Sequence, residues 1–316
     1  RLFRARTARS SKTSALLLSA ALATVAAPLP IAMDPQILVT GANTGIGFAL
    51  CKQLVARPAP GCFVYLGSRS AEKGAAAVKA IQDEFPDAAD MIASVVIDIA
   101  SDTSVTSAAA AVKEKLGSDK LFAIVNNAGC GLAHGVDAET QFNTNLYGTK
   151  RVVDAFLPLL NSATGRIVSV GSGAGPMFLE GQPEEVQATL TTPGTTWEQL
   201  DAFVKAERAS GKDYEGFPAY GLSKAAVATL SISLAATHPN ILSTTITPGF
   251  IETAITVGMG ASKPPEEGTV SILRCLFEDK DKLVNGAFYG SDGLRSPLTR
   301  GRDPGTPEFT GTEGYA

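Results

Sequence analysis

Beyond residue 33 the chain alternates short apolar runs with longer stretches in which apolar positions recur at helical spacing. "QILVT" (36–40), "CFVYLGS" (62–68), "ASVVIDIA" (93–100), "LFAIVNN" (121–127), "RIVSVGS" (166–172) and "ILSTTIT" (241–247) read as strands, and "GAFYGSDG" (286–293) as a further one. Most are apolar throughout rather than alternating, the mark of strands buried on both faces. Between them lie "FALCKQLVA", "AEKGAAAVKAIQDEF", "SVTSAAAAVKEKLG" and "EEGTVSILRCLFED", with "ETQFNTNLYGTKRVVDAFLPLL" (139–160) as one long helix. Another helix opens near Tyr220 and runs to about Thr237. The pattern predicts βαβ units: an α/β fold, a Rossmann-type doubly wound parallel sheet of about seven strands with helices on both faces. The domain covers 34–293, and the Gly/Pro/Thr-rich stretch 294–316 reads as an irregular wrap or a loose end.

Residues 1–33 differ in kind. They hold no acid, and Arg1, Arg4, Arg6, Arg9 and Lys12 precede the apolar run "ALLLSAALATVAA" (15–27). That run is shorter than the roughly 20 residues a membrane-spanning helix needs, so no stable span is expected. Three readings stay open: a secretory signal, an Arg- and Ser-rich organelle (plastid or mitochondrial) transit peptide, or an extension ahead of a functional start at Met33, which would leave the protein cytoplasmic.

The remaining composition narrows the function by exclusion. A net charge of -4 offers no basic field for nucleic acid. Cys51, Cys62, Cys130 and Cys275 are scattered and the only histidines are His134 and His238, so no metal site is legible and free thiols are expected.

The chemistry concentrates in two short stretches. "TGANTGIG" (40–47) lies between the first strand and the first helix, where Gly41, Gly45 and Gly47 allow a tight turn and close backbone approach. The helix N-terminus behind such a turn presents N–H groups to a pyrophosphate. In "PAYGLSKAAV" (218–227), Tyr220 and Lys224 stand four apart and share one helix face. A phenol with an ordinary pKa of about 10 becomes a useful acid–base group when a cation stands beside it.

Taken with "NNAG" (126–129), "NTNLYGT" (143–149), "RIVSVGSGAG" and "PGFIET" (248–253), these stretches resemble the short-chain dehydrogenase/reductase family over residues 34–293. The resemblance implies a catalytic set of Asn145, Ser172, Tyr220 and Lys224. Tyr220 would donate the proton, Lys224 lower its pKa and hold the nicotinamide ribose, Ser172 orient the substrate oxygen, and Asn145 hold a water that relays protons to Lys224. It also implies cofactor contacts from Gly41, Asn43, Thr44, Gly45, Ile46, Gly47, Asn127, Ala128 and Gly129, and from Pro248, Gly249 and Thr253 beside the nicotinamide. Asp98 would meet the adenine, although a strand-end acid also caps turns. An NAD site places an acid at the end of the second strand; "LGSRS" has Ser68 and Arg69 there, and an arginine pairs with a 2′-phosphate. NADPH is therefore expected over NADH. Asn126 and Asn127 also have a structural reading, as ties between neighbouring strands.

Ser172 and Tyr220 are 48 positions apart, a far longer interval than the family usually shows. The insertion (176–217) predicts a helix near 197–209 around Trp197, and a connection of this length inside a compact domain is usually functional. It is similar to that of the monomeric carbonyl reductases, a subgroup with the menthone and salutaridine reductases, where it covers the face other members use to oligomerise. A monomer acting on a small carbonyl compound is the implied state. A second class remains open: a non-catalytic dinucleotide-binding subunit of a larger assembly that would use the leader and tail for docking. A plastid pigment reductase is a third reading, though Gly-Leu-Ser between Tyr220 and Lys224 fits the carbonyl reductases better.

Overall fold

The computed structural model describes residues 35–58, 61–212 and 214–311. The leader and the last five residues lie outside that range. One sheet organises the chain. Its strands are β1 (Gln36–Val39), β2 (Phe63–Ser68), β3 (Ile92–Val96), β4 (Ala123–Asn126), β5 (Arg166–Val170), β6 (Leu242–Ile246), β7 (Phe288–Tyr289) and β8 (Arg295–Ser296). Their order is β3-β2-β1-β4-β5-β6-β7-β8, all parallel except the β7–β8 pair. Ile37, Leu38, Val39, Ile124, Val125, Ile167 and Val168 are fully buried, as the unbroken apolar runs require.

The helices are α1 (Gly45–Val55), α2 (Ala71–Glu84), α3 (Asp102–Leu116), α4 (Ala138–Phe142), α5 (Thr149–Phe156), α6 (Ala174–Glu180), α7 (Glu184–Thr191), α8 (Trp197–Ala209), α9 (Phe217–Thr237) and α10 (Val270–Phe277). The order reverses at β1: its neighbours are β2 on one side and β4 on the other. Ligands of open α/β sheets bind in the crevice at such a switch point. α9 is long and apolar enough to cross a membrane by length and composition, but most of it is buried against the sheet and neighbouring helices.

Three expectations change. The helix expected over 139–160 is broken: α4 and α5 are joined by a π-helical segment, Asn143–Gly148. The insertion holds α6 and α7 as well as α8, and they pack on α9; the Thr229 hydroxyl, for example, donates to the Leu190 carbonyl at 2.6 Å. The described part of the tail is no loose end. It contributes β8, and Leu298 joins the core at 1% exposure. Arg302 turns back onto Asp292 and Ser296.

Candidate active site

Gly41 and Gly45 carry φ of +62° and +59°, a region that favours glycine. A Cβ on Gly41 would lie 2.7 Å from the Ala128 Cα, and one on Gly47 would lie 2.5 Å from Asn127 Nδ2. The turn after β1 therefore packs directly on the segment after β4. The Thr40 hydroxyl accepts from the N–H groups of Asn127 and Ala128, both at 3.1 Å. Asn127 Nδ2 donates in return to the carbonyls of Thr40 and Gly41 at 2.9 and 3.1 Å. Thr44 is the N-cap of α1 yet its side chain caps nothing, and the first turn holds no acid. The helix N-terminus is left with donors for an anion.

Thr253 forms the opposite wall. Its Cγ2 lies 3.4 Å from where a Cβ on Gly45 would stand, so the Thr253 segment lies close against the Gly-rich turn. The Thr247 hydroxyl accepts from Gly173 N–H at 3.0 Å and Gly249 N–H at 3.4 Å, tying the exit of β5 to the Pro248–Gly249 turn. Ile46 is turned toward Gly268, while Asn43 Oδ1 accepts from the Ser68 hydroxyl at 3.2 Å. At the end of β2, Ser68 is buried and Arg69 exposed; Arg69 makes no ion pair or hydrogen bond among the described residues. Asp98 lies beyond the end of β3, where its Oδ1 accepts from Ala100 N–H at 3.0 Å. Its observed role is the turn cap. Asn126 bonds the Ser169 hydroxyl of β5 across the strands at 3.4 Å, the structural role expected of it.

The four residues of the implied catalytic set come together from three elements. Ser172 follows β5; its hydroxyl accepts from Ala174 N–H at 3.2 Å and lies near enough to the Tyr220 phenol to pull its pKa down. Tyr220 and Lys224 stand one turn apart on α9, with Lys224 Nζ 5.8 Å from the Tyr220 ring centroid. Nζ donates to the Val170 carbonyl at 2.9 Å. Asn145 is in the π segment at 1% exposure; its Nδ2 donates to the Cys130 carbonyl at 3.0 Å and to Ser223 Oγ at 3.1 Å. The i→i+5 register turns that side chain inward, the local irregularity that often marks functional helices.

The electrostatics differ from the sequence expectation. Burial holds the Tyr220 phenol above its ordinary pKa, against the opposing pull of the nearby Ser172 hydroxyl. Burial also pulls Lys224 down to about 8. Desolvation is the largest effect on both groups and sets the direction of each shift.

Residues 35–184 match the family model for short chain dehydrogenases. The chain is 32% identical to a carbonyl reductase of Mus musculus whose name specifies NADPH, over 74% of this chain and 87% of that one. It is 30% identical to a (+)-neomenthol dehydrogenase of Arabidopsis thaliana, over 80% and 94% respectively. The structure of salutaridine reductase from Papaver somniferum superposes with a TM-score of 0.67 at 25% identity, covering 81% of this chain and 99% of that chain. The chain belongs to the short-chain dehydrogenase/reductase family. It is an oxidoreductase.

Around the short-chain dehydrogenase motifs stand residues that the sequence reading left without a role. Ser223, at 0% exposure between Tyr220 and Lys224, donates to the Tyr220 carbonyl at 2.8 Å and accepts from Asn145, joining two members of the set. A buried hydroxyl in mid-helix was the available signal. Ile255 reaches across to Gly131: a Cβ there would lie 2.5 Å from Ile255 Cγ2 and 3.4 Å from Tyr220 Cε2. His134 Nδ1 accepts from Gly131 N–H at 3.1 Å, holding the same turn. Cys130 is a half-buried free thiol; Cys51 and Cys275 are buried and free, and Cys62 is buried. No group of metal-binding side chains occurs among the described residues.

Proposed function

We propose that the protein reduces a ketone or aldehyde to an alcohol with NADPH, Tyr220 serving as general acid. The observation that carries this reading is the convergence of Ser172, Tyr220, Lys224 and Asn145 beside the Gly41–Gly47 turn. The residues fit a dinucleotide: Thr253 lies close to the Gly-rich turn, the α1 N-terminus carries no capping side chain or acid, and the end of β2 bears Arg69 rather than a carboxylate. Gly41, Asn43, Thr44, Gly47 and the Asn127–Gly129 segment would hold the pyrophosphate side, Thr253 and Lys224 the nicotinamide side, and Arg69 the 2′-phosphate. Bound there, NADPH would supply the hydride.

The chain's own residues supply the rest. Ser172 donates to the carbonyl oxygen of the substrate and stabilises the charge that develops on it. Tyr220 delivers its proton to that oxygen. A phenol kept protonated by burial is suited to donate, and a phenolate is left once the proton has gone. Lys224 stands close enough to balance that charge and to pass a proton back, with Asn145 holding the relay water. The insertion supports a monomer: α8 lies over the π segment, with the Tyr147 hydroxyl on Asp201 at 2.9 Å and its ring edge-on to Trp197 at 5.9 Å.

The test is consumption of NADPH by the chain from Met33 onward against quinones, aromatic aldehydes and cyclic ketones, alongside Tyr220→Phe. The expected result is turnover that the variant loses by about 10²-fold or more while still binding NADPH. Equal rates for the two proteins would remove Tyr220 from the chemistry. NADPH binding with no turnover across the panel would favour the non-catalytic assembly subunit.

A further inference from the structure

The glycines around the catalytic set have packing or backbone reasons to be glycine, with one exception. A Cβ on Gly129, Gly131, Gly171, Gly175 or Gly221 would lie between 2.5 and 3.1 Å from a neighbouring atom, and Gly249 has a φ of +89°. Gly173, directly after Ser172, is under neither constraint. Its φ of −57° and ψ of −19° suit any residue. Outside its own stretch of chain, a Cβ there would meet a single atom within 4 Å, Thr247 Oγ1 at 4.0 Å. Nor does the start of α6 call for glycine, since the Ser172 hydroxyl already accepts from Ala174 N–H.

The flanks of that position are apolar. Gly175 and Phe178 turn α6 toward α9: a Cβ on Gly175 would lie 3.1 Å from Ala225 N, and one on Gly221 would lie 2.7 Å from Phe178 Cβ. Residues 173 and 177 are four apart and share the opposite face, with Met177 N–H donating to the Gly173 carbonyl at 3.1 Å. The Met177 side chain is accordingly 59% exposed. On the other side, the Thr247 hydroxyl ties Gly173 N–H to Gly249 N–H, and Phe250, which follows, is 51% exposed. The residue next to Ser172 is thus flanked by a thioether and a phenyl ring, and neither carries a charge.

We propose that Gly173 sets substrate size: by withholding a side chain beside Ser172 it admits an uncharged ketone with a branched apolar group next to the carbonyl, which Met177 and Phe250 receive. This rests on the reductase reading above and deepens it. An oxygen held by the Ser172 hydroxyl brings the substituents of the carbonyl carbon within reach of residue 173. A branched alkyl group placed there is removed from water against apolar side chains, and the flexible Met177 stem adapts to its shape. A β-branched side chain at 173 would occupy the same space.

The test compares reduction of cyclohexanone, 2-methylcyclohexanone and 2-tert-butylcyclohexanone by the parent, Gly173→Ala and Gly173→Val, with NADPH. The parent is expected to reduce all of them. In Gly173→Val, kcat/KM for the tert-butyl ketone should fall by about tenfold or more relative to that for cyclohexanone, with Gly173→Ala between valine and the parent. The cis/trans ratio of the 2-methylcyclohexanol formed should change as well. Because the backbone at 173 suits alanine and valine, Tm and the calorimetric Kd for NADPH should hold in both variants. Equal losses for every ketone, or a fallen Tm, would make Gly173 a structural requirement and overturn the proposal. Parent-like rates in Gly173→Val would also overturn it, as would a parent that reduces other carbonyl compounds but not the tert-butyl ketone. A parent that binds NADPH and reduces no carbonyl compound would instead refute the reductase reading, so the two failures are told apart.

Discussion

Asn145 and Cys130 are joined by a reciprocal pair of hydrogen bonds: the carboxamide oxygen accepts from Cys130 N–H at 2.9 Å, and the amide nitrogen donates to the Cys130 carbonyl at 3.0 Å. The second amide hydrogen goes to Ser223, so both donors of the side chain are used. One residue thus fixes the turn after β4 against the helix that carries Tyr220. Asn145→Ala leaves the Cys130 backbone groups without those partners, at about 1–3 kcal/mol for each that stays unsatisfied. We expect a Tm lower by several degrees and a kcat reduced by at least an order of magnitude. Ser223→Ala removes only the link to α9 and should lower kcat with little loss of Tm. Thermal melts beside steady-state kinetics check both; wild-type kcat in Asn145→Ala would make the clamp irrelevant to the chemistry.

That clamp also marks how far the sequence could be read. The Gly-rich turn, the Tyr220–Lys224 spacing and six of the parallel strands follow from local rules: glycine at positive φ, i,i+4 geometry and unbroken apolar runs. The helix at 197–209 was legible because Thr196 and Gln199 form a capping box at its start. The π turn was not, since its i→i+5 register is accompanied by long-range bonds from Asn145 to Cys130 and Ser223 that no window of sequence contains. α6 was hidden for a related reason. It carries Gly175 and Pro176, poor helix formers, and closely packs Gly175 on Ala225 of α9. β8 is two residues long, and Arg302 meets Asp292 from ten positions away, with no period to betray it.

Lys224 is a stability liability kept at the site. Its folded pKa of about 8 lies below the ordinary lysine value of 10.5, so the folded state holds fewer protons than the unfolded one between those limits. Stability therefore rises with pH across that window, and the full penalty, on the order of 3 kcal/mol, applies below about pH 8. Lys224→Met removes the charge but leaves the Val170 carbonyl without its partner, which returns about 1–3 kcal/mol of cost. The expected net is a Tm raised by a few degrees at neutral pH, a flatter pH dependence between about 8 and 10.5, and no turnover. Melting curves across that range decide it; a variant clearly less stable than the parent would mean that the ammonium is well solvated where it lies.

The insertion should behave as a removable cover. α8 is held by Leu200 at 0% exposure, by the Tyr147–Asp201 hydrogen bond, and by Trp197 between Tyr147 and Lys150, whose Nζ lies 4.9 Å from the indole. Asp201 and burial, the latter the larger effect, push the Tyr147 phenol up to about 12, so this bond persists through neutral and mildly alkaline pH. Leu200→Ala with Asp201→Ala should loosen α8 and expose the α4–α5 face. Sedimentation should then show concentration-dependent self-association that the parent lacks. Trp197 is the only tryptophan, so its emission reports undocking directly. A red shift without self-association would leave the insertion as a pocket wall alone.

Arg302 and Asp292 give the tail its fold, and their removal should be felt at acid pH. The two side chains are 7% and 19% exposed, and the guanidinium also donates to Ser296 Oγ and the Thr306 carbonyl, both at 2.8 Å. Burial alone would raise the Asp292 carboxyl, but Arg302 and the N–H groups of Gly305 and Leu294 outweigh it and hold it below the usual carboxylate range. A depressed folded pKa contributes stability that is present above the unfolded value of about 4 and fades as pH falls through the folded one. Arg302→Ala strands a largely buried carboxylate and should cost about 3 kcal/mol at neutral pH. The variant should also lose less further stability than the parent on acidification, because its carboxylate takes up a proton more readily. Denaturant melts at neutral and acid pH measure both effects, and equal stabilities at neutral pH would show that the tail is held by Leu298 and β8 alone.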